Sequence, residues 1–295
     1  LKKLLFVDLD DTLFHTLPKC RPNATLRPVA FLKDGAPISW ASTQQLALLA
    51  DMMLTMQVIP ATARNHDAFL RVDLPFSDYA IIDYGGAILR PDGTPDQEWQ
   101  EKMQAPMQAA LPGLQQAQQV MDQYASRNGW AAKSRLISDF GTPFYLMIKD
   151  PNGDAERLAQ MENDCLRPWL QAQTQGQIQG QTQGQPQAGL DYFIHRNGNN
   201  LALLPRTLNK AHAVAFLRQR FEAEHGPLLA LGMGDSHSDA AFMAACDYAI
   251  IPQHSQLAAL TLAPLAADIL SASAGSEAGT SPGTLPATPT AQEQP

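Results

Sequence analysis

The chain has 295 residues, a net charge of −8 and 45% hydrophobic residues, enough apolar content for a sizeable core in one large domain or two smaller ones. An acidic chain is poorly suited to binding nucleic acid or an anionic membrane through overall charge, and no apolar run reaches the roughly 18 residues that span a bilayer. Three cysteines, Cys20, Cys165 and Cys246, lie far apart without CxxC spacing, which excludes a disulfide framework or a zinc site and predicts reduced thiols.

Residues 4–7 form an unbroken apolar run, LLFV, the pattern of a strand buried on both faces of a parallel sheet. The run is too short for the core of a signal peptide and stops on Asp8, so a soluble, cytoplasmic protein is expected. The connection that follows is long, and its KDGA segment predicts a small hairpin in a flap over the sheet end. Ser42-Thr-Gln-Gln45 has the form of a capping box, with Leu46, Leu49, Met52, Met53 and Met56 at helical spacing behind it. QVIPATAR then reads as a short strand ending at Thr62, residues 66–72 as a short helix, and YAIIDYGG as another strand. Strand, helix, strand, helix, strand is the opening of a doubly wound, Rossmann-like α/β fold.

After Gly86 the texture changes. ILRPDGTP predicts a hairpin with an Asp-Gly turn, and two Gln/Ala/Met-rich helices are expected at 97–110 and 112–128. WAAKSRLIS and TPFYLMIKD read as strands, 154–170 as a helix, and LDYFIHRNG with NNLALLP as a further strand pair. Helices alternating with hairpins describe an α+β cap, residues 87–200, inserted into a discontinuous core of residues 1–86 and 201–270. Glutamine occupies every odd position from Gln171 to Gln187, interrupted by Gly and Pro, which predicts a surface loop over 171–189. From Lys210 the doubly wound pattern resumes, with a helix at 211–224, the strand PLLALGMGD, a helix at 238–245, the strand DYAIIP and a last helix from Gln256. The Ser/Gly/Ala/Thr/Pro-rich residues 271–295 predict a disordered tail.

Four features fall where α/β folds bind ligands, at the carboxyl ends of strands. The first is Asp8-Leu-Asp10-Asp11-Thr12. Residues i and i+2 of a strand point the same way, so Asp8 and Asp10 converge as the strand ends. Close carboxylates repel unless a cation joins them or one holds a proton, and a hard divalent ion such as Mg²⁺ suits oxygen ligands. The second feature is Thr62, followed by Ala63-Arg64, a position where a hydroxyl and backbone N–H groups can meet a phosphoryl oxygen, or simply cap a helix. The third is Lys210, a cation at the unfavourable end of a helix dipole. The fourth is LGMGDSHSDAAF, where Gly232 and Gly234 allow close backbone approach beside Asp235, Ser236 and Asp239. It lacks the dinucleotide fingerprint, and its acids suit a metal better than a pyrophosphate.

The ordered set DxDxT, Thr, Lys and GDSxxD, over residues 4–252, resembles the haloacid-dehalogenase superfamily of aspartate-nucleophile phosphatases. The cap placed between Thr62 and Lys210 is similar to the subclass of Cof-like sugar phosphatases, sucrose-phosphate phosphatase and mannosyl-phosphoglycerate phosphatase. IIDYGGAIL resembles the ENGGAI-type segment of that subclass and TAR its TGR. Asp11 stands where Gly is common, Ala63 replaces Gly, Tyr84 replaces Asn, and Ser238 replaces Asn. The resemblance implies Asp8 as nucleophile and Asp10 as acid and base. It implies Mg²⁺ on Asp8, Asp235 and the main-chain carbonyl of Asp10, with Asp239, Ser236 and Gly234 in support. Thr12, Thr62 and Lys210 would take phosphoryl oxygens, and Arg64, Lys149, His195 and Arg196 are candidates for substrate. The expected partner is a small phosphate ester, most simply a sugar phosphate, with neither nucleic acid nor membrane; no pattern specifies an oligomeric state. A phosphomutase of the same superfamily, or a phospho-aspartate signalling module, uses much the same groups.

Overall fold

The computed structural model describes residues 1–180 and 191–267. The second half of the expected Gln-rich loop and the expected tail lie outside these residues.

Strand β1 (Lys2–Val7) is the centre of the core, with Leu4, Leu5, Phe6 and Val7 fully buried. The long connection holds a one-turn helix (Leu17–Lys19) and the hairpin β2 (Leu26–Phe31) and β3 (Pro37–Ser42), as KDGA predicts. Helix α1 (Thr43–Thr55) starts on the expected capping box, with the Ser42 and Gln45 side chains each bonded to the other's backbone N–H. Then come β4 (Gln57–Pro60), the short α2 (His66–Phe69), β5 (Ala80–Ile82) and β6 (Ala87–Leu89). YAIIDYGG is therefore a strand cut short by a tight turn: Asp83 and Tyr84 take positive φ of 53° and 56°, reversing the chain into β6. The Asp92-Gly93 turn closes a smaller loop, bridged between Leu89 and Pro95.

The chain next forms α3 (Gln97–Arg127), β7 (Arg135–Asp139), β8 (Thr142–Ile148), α4 (Ala155–Met161), a π-helical segment (Glu162–Leu166) and α5 (Arg167–Gly180). After these follow β9 (Tyr192–Asn197), β10 (Asn200–Pro205), α6 (Lys210–His225), β11 (Leu228–Met233), α7 (His237–Ala244), β12 (Tyr248–Ile250) and α8 (Gln256–Leu260).

Two expectations are corrected. The helices predicted on either side of residue 111 are one helix, α3, with Pro106 and Pro112 inside it. A proline removes one helical hydrogen bond and crowds the preceding turn. The buried stripe Trp99, Met103, Met107, Ala110, Leu114, Ala117, Met121 and Ala125 is unbroken, however, and its burial outweighs that loss. The loop expected from Gln171 is helical as far as Gly180. Glutamine is a good helix former, and α5 is anchored by buried Leu166 and Trp169 at its start.

The parallel sheet runs β12-β11-β1-β4, and β5 extends it through a parallel bridge between Ala61 and Ile81. Period-two alternation splits β1 between two cores. Leu4 and Phe6 pack with Val214, Leu217 and Phe242 of α6 and α7, while Leu5 and Val7 pack with Leu49 of α1. That is the doubly wound arrangement. The cap sheet is antiparallel, β7-β8-β10-β9, and one of its faces packs on α3, α4 and α5.

Asp96 ties the cap helix to the core: its carboxylate caps α3 by accepting from Trp99 N and also takes a two-pronged bond from Arg220 of α6. Asp96→Ala removes a helix cap and both bonds from the Arg220 fork to Asp96, leaving that half-buried guanidinium with Glu98 at 3.0 Å. We expect a loss of about 1–3 kcal/mol in urea unfolding; a change below about 0.5 kcal/mol would mean that Glu98 and solvent serve Arg220 equally well.

Candidate active site

Three strands end side by side. Val7 is level with Pro60 on one flank and Met233 on the other. The ladder continues one step further, with Asp8 N–H donating to Met233 O at 2.9 Å and Ala61 N–H to Val7 O at 2.8 Å. Asp8, Thr62 and Asp235 therefore leave the sheet together. From β1 the chain runs to β4 on one side and returns as β11 on the other, so the crevice between β1 and β11 is a topological switch point.

Lys210 reaches this crevice from the first turn of α6. Its ammonium donates to Asp8 Oδ1 at 2.7 Å and to Asp239 Oδ1 at 2.6 Å, with only 3% of the residue exposed. The two carboxylates compensate the unfavourable helix end. Burial alone would depress the lysine; Asp239 and Asp8 more than reverse it and push its pKa upward. Gly85 permits the approach, because a Cβ there would sit 2.5 Å from Asn209 O, at a φ of +97°.

Asp239 is saturated with donors. Its second oxygen accepts from Ser236 N at 3.0 Å, Ser236 Oγ at 2.7 Å and Asp235 N at 3.3 Å. Gly234 makes room for it, since a Cβ at Gly234 would lie 2.5 Å from Asp239 Cβ. Asp235 accepts from Thr12 Oγ1 at 3.1 Å, so the Thr12 hydroxyl is committed to a carboxylate. The Thr62 hydroxyl oxygen accepts from Arg64 N at 3.1 Å.

Asp10 lies apart from this knot and is more exposed, held by Arg64 through Nε and Nη2, both at 2.7 Å. Arg64, expected as a substrate contact, thus spends its fork on Asp10 and its remaining nitrogen on Ala68 O at 3.3 Å. Asp11 takes the left-handed conformation, φ 62°, that an aspartate tolerates. Its carboxylate accepts from Lys19 at 2.5 Å and lies 3.4 Å from His15 Nδ1, tying the flap to the loop after β1. Burial opposes the charge on Asp11, but these two partners outweigh it and hold its pKa low.

Two nearby residues had weaker signals. Tyr84 is 8% exposed, and its ring packs edge-on against Tyr145 at 5.2 Å and His195 at 5.5 Å. Burial raises its phenol pKa; Asp8, Asp10 and Asp239 add to that and Lys210 opposes it. His195 comes from β9, and burial, then the Lys210 charge, lowers its pKa and favours neutral imidazole. Register across two sheet edges placed His195 here, and no local motif announces that. Of the other substrate candidates, Arg196 is paired with Glu162 at 2.8 Å.

The donor set fits a hard divalent cation. Asp8, Asp235 and Asp239 each offer an oxygen within 4.8 Å of the others, all three buried. Burial, with Asp239 and Asp11 adding, pushes the pKa of Asp235 up to about 6. Burial, with Asp239 and Asp235 adding against Lys210, raises that of Asp8 well above the carboxylate range. One ammonium is too little positive charge for this cluster, and oxygen-only ligands favour Mg²⁺. Beside it opens a cleft of about 1360 Å³, walled by the flap (His15, Lys19), by β9 (Phe193, His195) and by His237.

No family profile and no curated protein matches the chain. Among solved structures, it is similar to the sucrose-phosphatase of Synechocystis in complex with sucrose and phosphate, at 19% identity over 88% of this chain and 86% of that one, TM-score 0.44. It is similar to the C-terminal domain of a C. albicans trehalose-6-phosphate phosphatase, at 14% identity over 82% and 72%, TM-score 0.47. A haloacid dehalogenase-like hydrolase from Bacteroides thetaiotaomicron gives 14% identity over 85% and 94%, TM-score 0.42. Likenesses this distant carry no functional argument; the site geometry does. No helix among the described residues is long and apolar enough to cross a membrane.

Proposed function

We propose that the chain is a Mg²⁺-dependent phosphomonoester hydrolase of the haloacid-dehalogenase superfamily, acting on a small sugar phosphate or related metabolite. The observation that carries this reading is the convergence of Asp8, Asp235 and Asp239 oxygens within 4.8 Å, locked by Lys210, at a sheet switch point. Asp8 and Asp235, with the main-chain carbonyl of Asp10, would hold the ion. When bound, it supplies positive charge against the phosphoryl oxygens.

A carboxylate oxygen of Asp8 attacks phosphorus in line, and the bond to the alcohol oxygen breaks. Asp10 gives its proton to that leaving oxygen. Water then attacks the aspartyl-phosphate, Asp10 takes back a proton, and inorganic phosphate leaves with Asp8 restored. Arg64 aims Asp10, Thr12 aims Asp235, and Lys210, the Thr62 hydroxyl and loop N–H groups balance the charge on the phosphoryl group. Asp239 holds Lys210 through one oxygen and the Asp235 loop through the other.

A panel of phosphate esters assayed with Mg²⁺ and again with excess chelator tests this. We expect inorganic phosphate release that chelation abolishes and Mg²⁺ restores. Phosphoryl movement within a sugar phosphate without release of phosphate would make the chain a mutase, and release indifferent to chelation would remove the metal from the scheme.

A further inference from the structure

The register of the cap sheet sorts its two faces. Arg135 is opposite Met147, Met147 opposite Ala202, and Ala202 opposite His195. Paired residues point to the same side of a sheet, so these four share a face, and Lys149, two residues beyond Met147, joins them. The opposite face carries Leu136, Leu146, Leu203 and Ile194, which are packed into the helical layer. The first face therefore looks toward the parallel sheet.

Along the strands this face changes character. One end is apolar: Ile137, Tyr145, Leu204 and Phe193 pack in the same cluster as Phe6 and Ile81 of the core. Moving along, Ile137 gives way to Arg135, Tyr145 to Met147 and Lys149, and Leu204 to Ala202 and Asn200. The apolar-to-cationic change happens above the catalytic loops. Tyr145 donates its hydroxyl to Ala63 O at 3.4 Å, and His195 packs on Tyr84. Lys149 is exposed, yet enough protein surrounds it that desolvation, then Arg135 and Arg64, hold its pKa below the usual lysine value, with Asp10 opposing. Those neighbours place it on the Asp10 side of the site.

Neither Lys149 nor Arg135 has a carboxylate partner among the described residues; Arg135 reaches only as far as Met147 Sδ, at 4.0 Å. Asp10, the acid near them, already has both oxygens on Arg64. In a chain of net charge −8, two neighbouring cations with no paired carboxylate among the described residues are a local surplus of positive charge. If Asp10 protonates the leaving oxygen, the alcohol half of the ester lies under these two residues.

We propose that this alcohol half carries a second anionic group, a carboxylate or a further phosphate, which Lys149 and Arg135 bind. The inference rests on the phosphatase reading and narrows its substrate class. The test compares kcat/KM for two matched pairs: glycerate 3-phosphate against glycerol 3-phosphate for the carboxylate, and fructose 1,6-bisphosphate against fructose 6-phosphate for the phosphate. We expect at least a tenfold preference for the anionic member of one pair. The ratio should collapse to within about threefold in Lys149→Met and in Arg135→Met, and persist in Lys102→Met, a lysine on α3. Equal use of both members in both pairs, or a preference that survives both Lys149→Met and Arg135→Met, overturns the proposal while leaving the phosphatase intact. If none of these esters releases phosphate, p-nitrophenyl phosphate hydrolysis decides the phosphatase reading separately. Calorimetric binding of the same pairs to the unmodified chain then decides this one: tighter binding of an anionic member supports it, and equal or absent binding overturns it.

Discussion

Asp8→Asn abolishes phosphate release and at the same time raises the melting temperature of the metal-free protein. The loss is expected to exceed about a thousandfold, the scale on which removal of a nucleophile acts in a covalent mechanism. The gain has a separate cause. Asp8 is buried, and burial lifts its pKa well above the ordinary range, with Asp239 and Asp235 adding to the effect and Lys210 working against it. A folded-state pKa above the unfolded one means that ionised Asp8 opposes folding at neutral pH, increasingly so as pH rises past the unfolded value near 3.9. Asparagine removes that charge, and Lys210 keeps its 2.6 Å partner Asp239. We expect a stabilisation of about 1 kcal/mol, or about 2–4 °C. Added Mg²⁺ should raise the wild type more than the variant, because a ligand that binds only the native state stabilises by mass action and the variant has lost one of its ligands. Full activity in Asp8→Asn would remove the nucleophile assignment. A lower melting temperature would show that the Lys210–Asp8 pair outweighs the crowding of carboxylates.

The same residues show what a sequence can reveal. The alternation of Leu4 and Phe6 against Leu5 and Val7 carries the two-sided burial of β1, and the i, i+2 rule brings Asp8 and Asp10 to one strand end. Ser42 and Gln45 form their capping box because both partners are local. Local signals failed where tertiary packing decides. A continuous buried stripe carries α3 through Pro112, and no residue in Asp83-Tyr84 advertises two consecutive left-handed conformations. Arg64 was legible as a charge near the site, but its target was not, because Asp10 is 54 positions away in sequence. His195 and Lys149 depended on strand register, which hydrophobic pattern fixes only once the partner strands are known.

Asp83→Asn is expected to stabilise the fold by about 1–3 kcal/mol at neutral pH, the range of the penalty for a buried polar group left without a partner. Asp83 is fully buried in the turn between β5 and β6, and neither of its oxygens meets a hydrogen-bond donor. The polar group beside it is the Asp139 carboxylate, which accepts from His66 N at 2.7 Å. A proton on Asp83 turns this contact into a hydrogen bond, and burial, then Asp139, raises its pKa well above the usual value. Below the unfolded pKa near 3.9 the carboxyl is neutral in both states and the turn is undisturbed. As pH rises toward the folded value the unfolded chain sheds the proton first, so stability falls through that interval and stays low above it. An asparagine amide donates to Asp139 at every pH. The melting-temperature difference between Asp83→Asn and wild type should therefore be small at pH 4 and widen up to pH 8. Because Asp139 belongs to the cap and Asp83 to the core, the same widening should appear in protease resistance at the cap junction. Parallel stability curves across that range would mean that water reaches Asp83 and solvates its charge, and the buried acid pair would then have no part in holding the cap to the core.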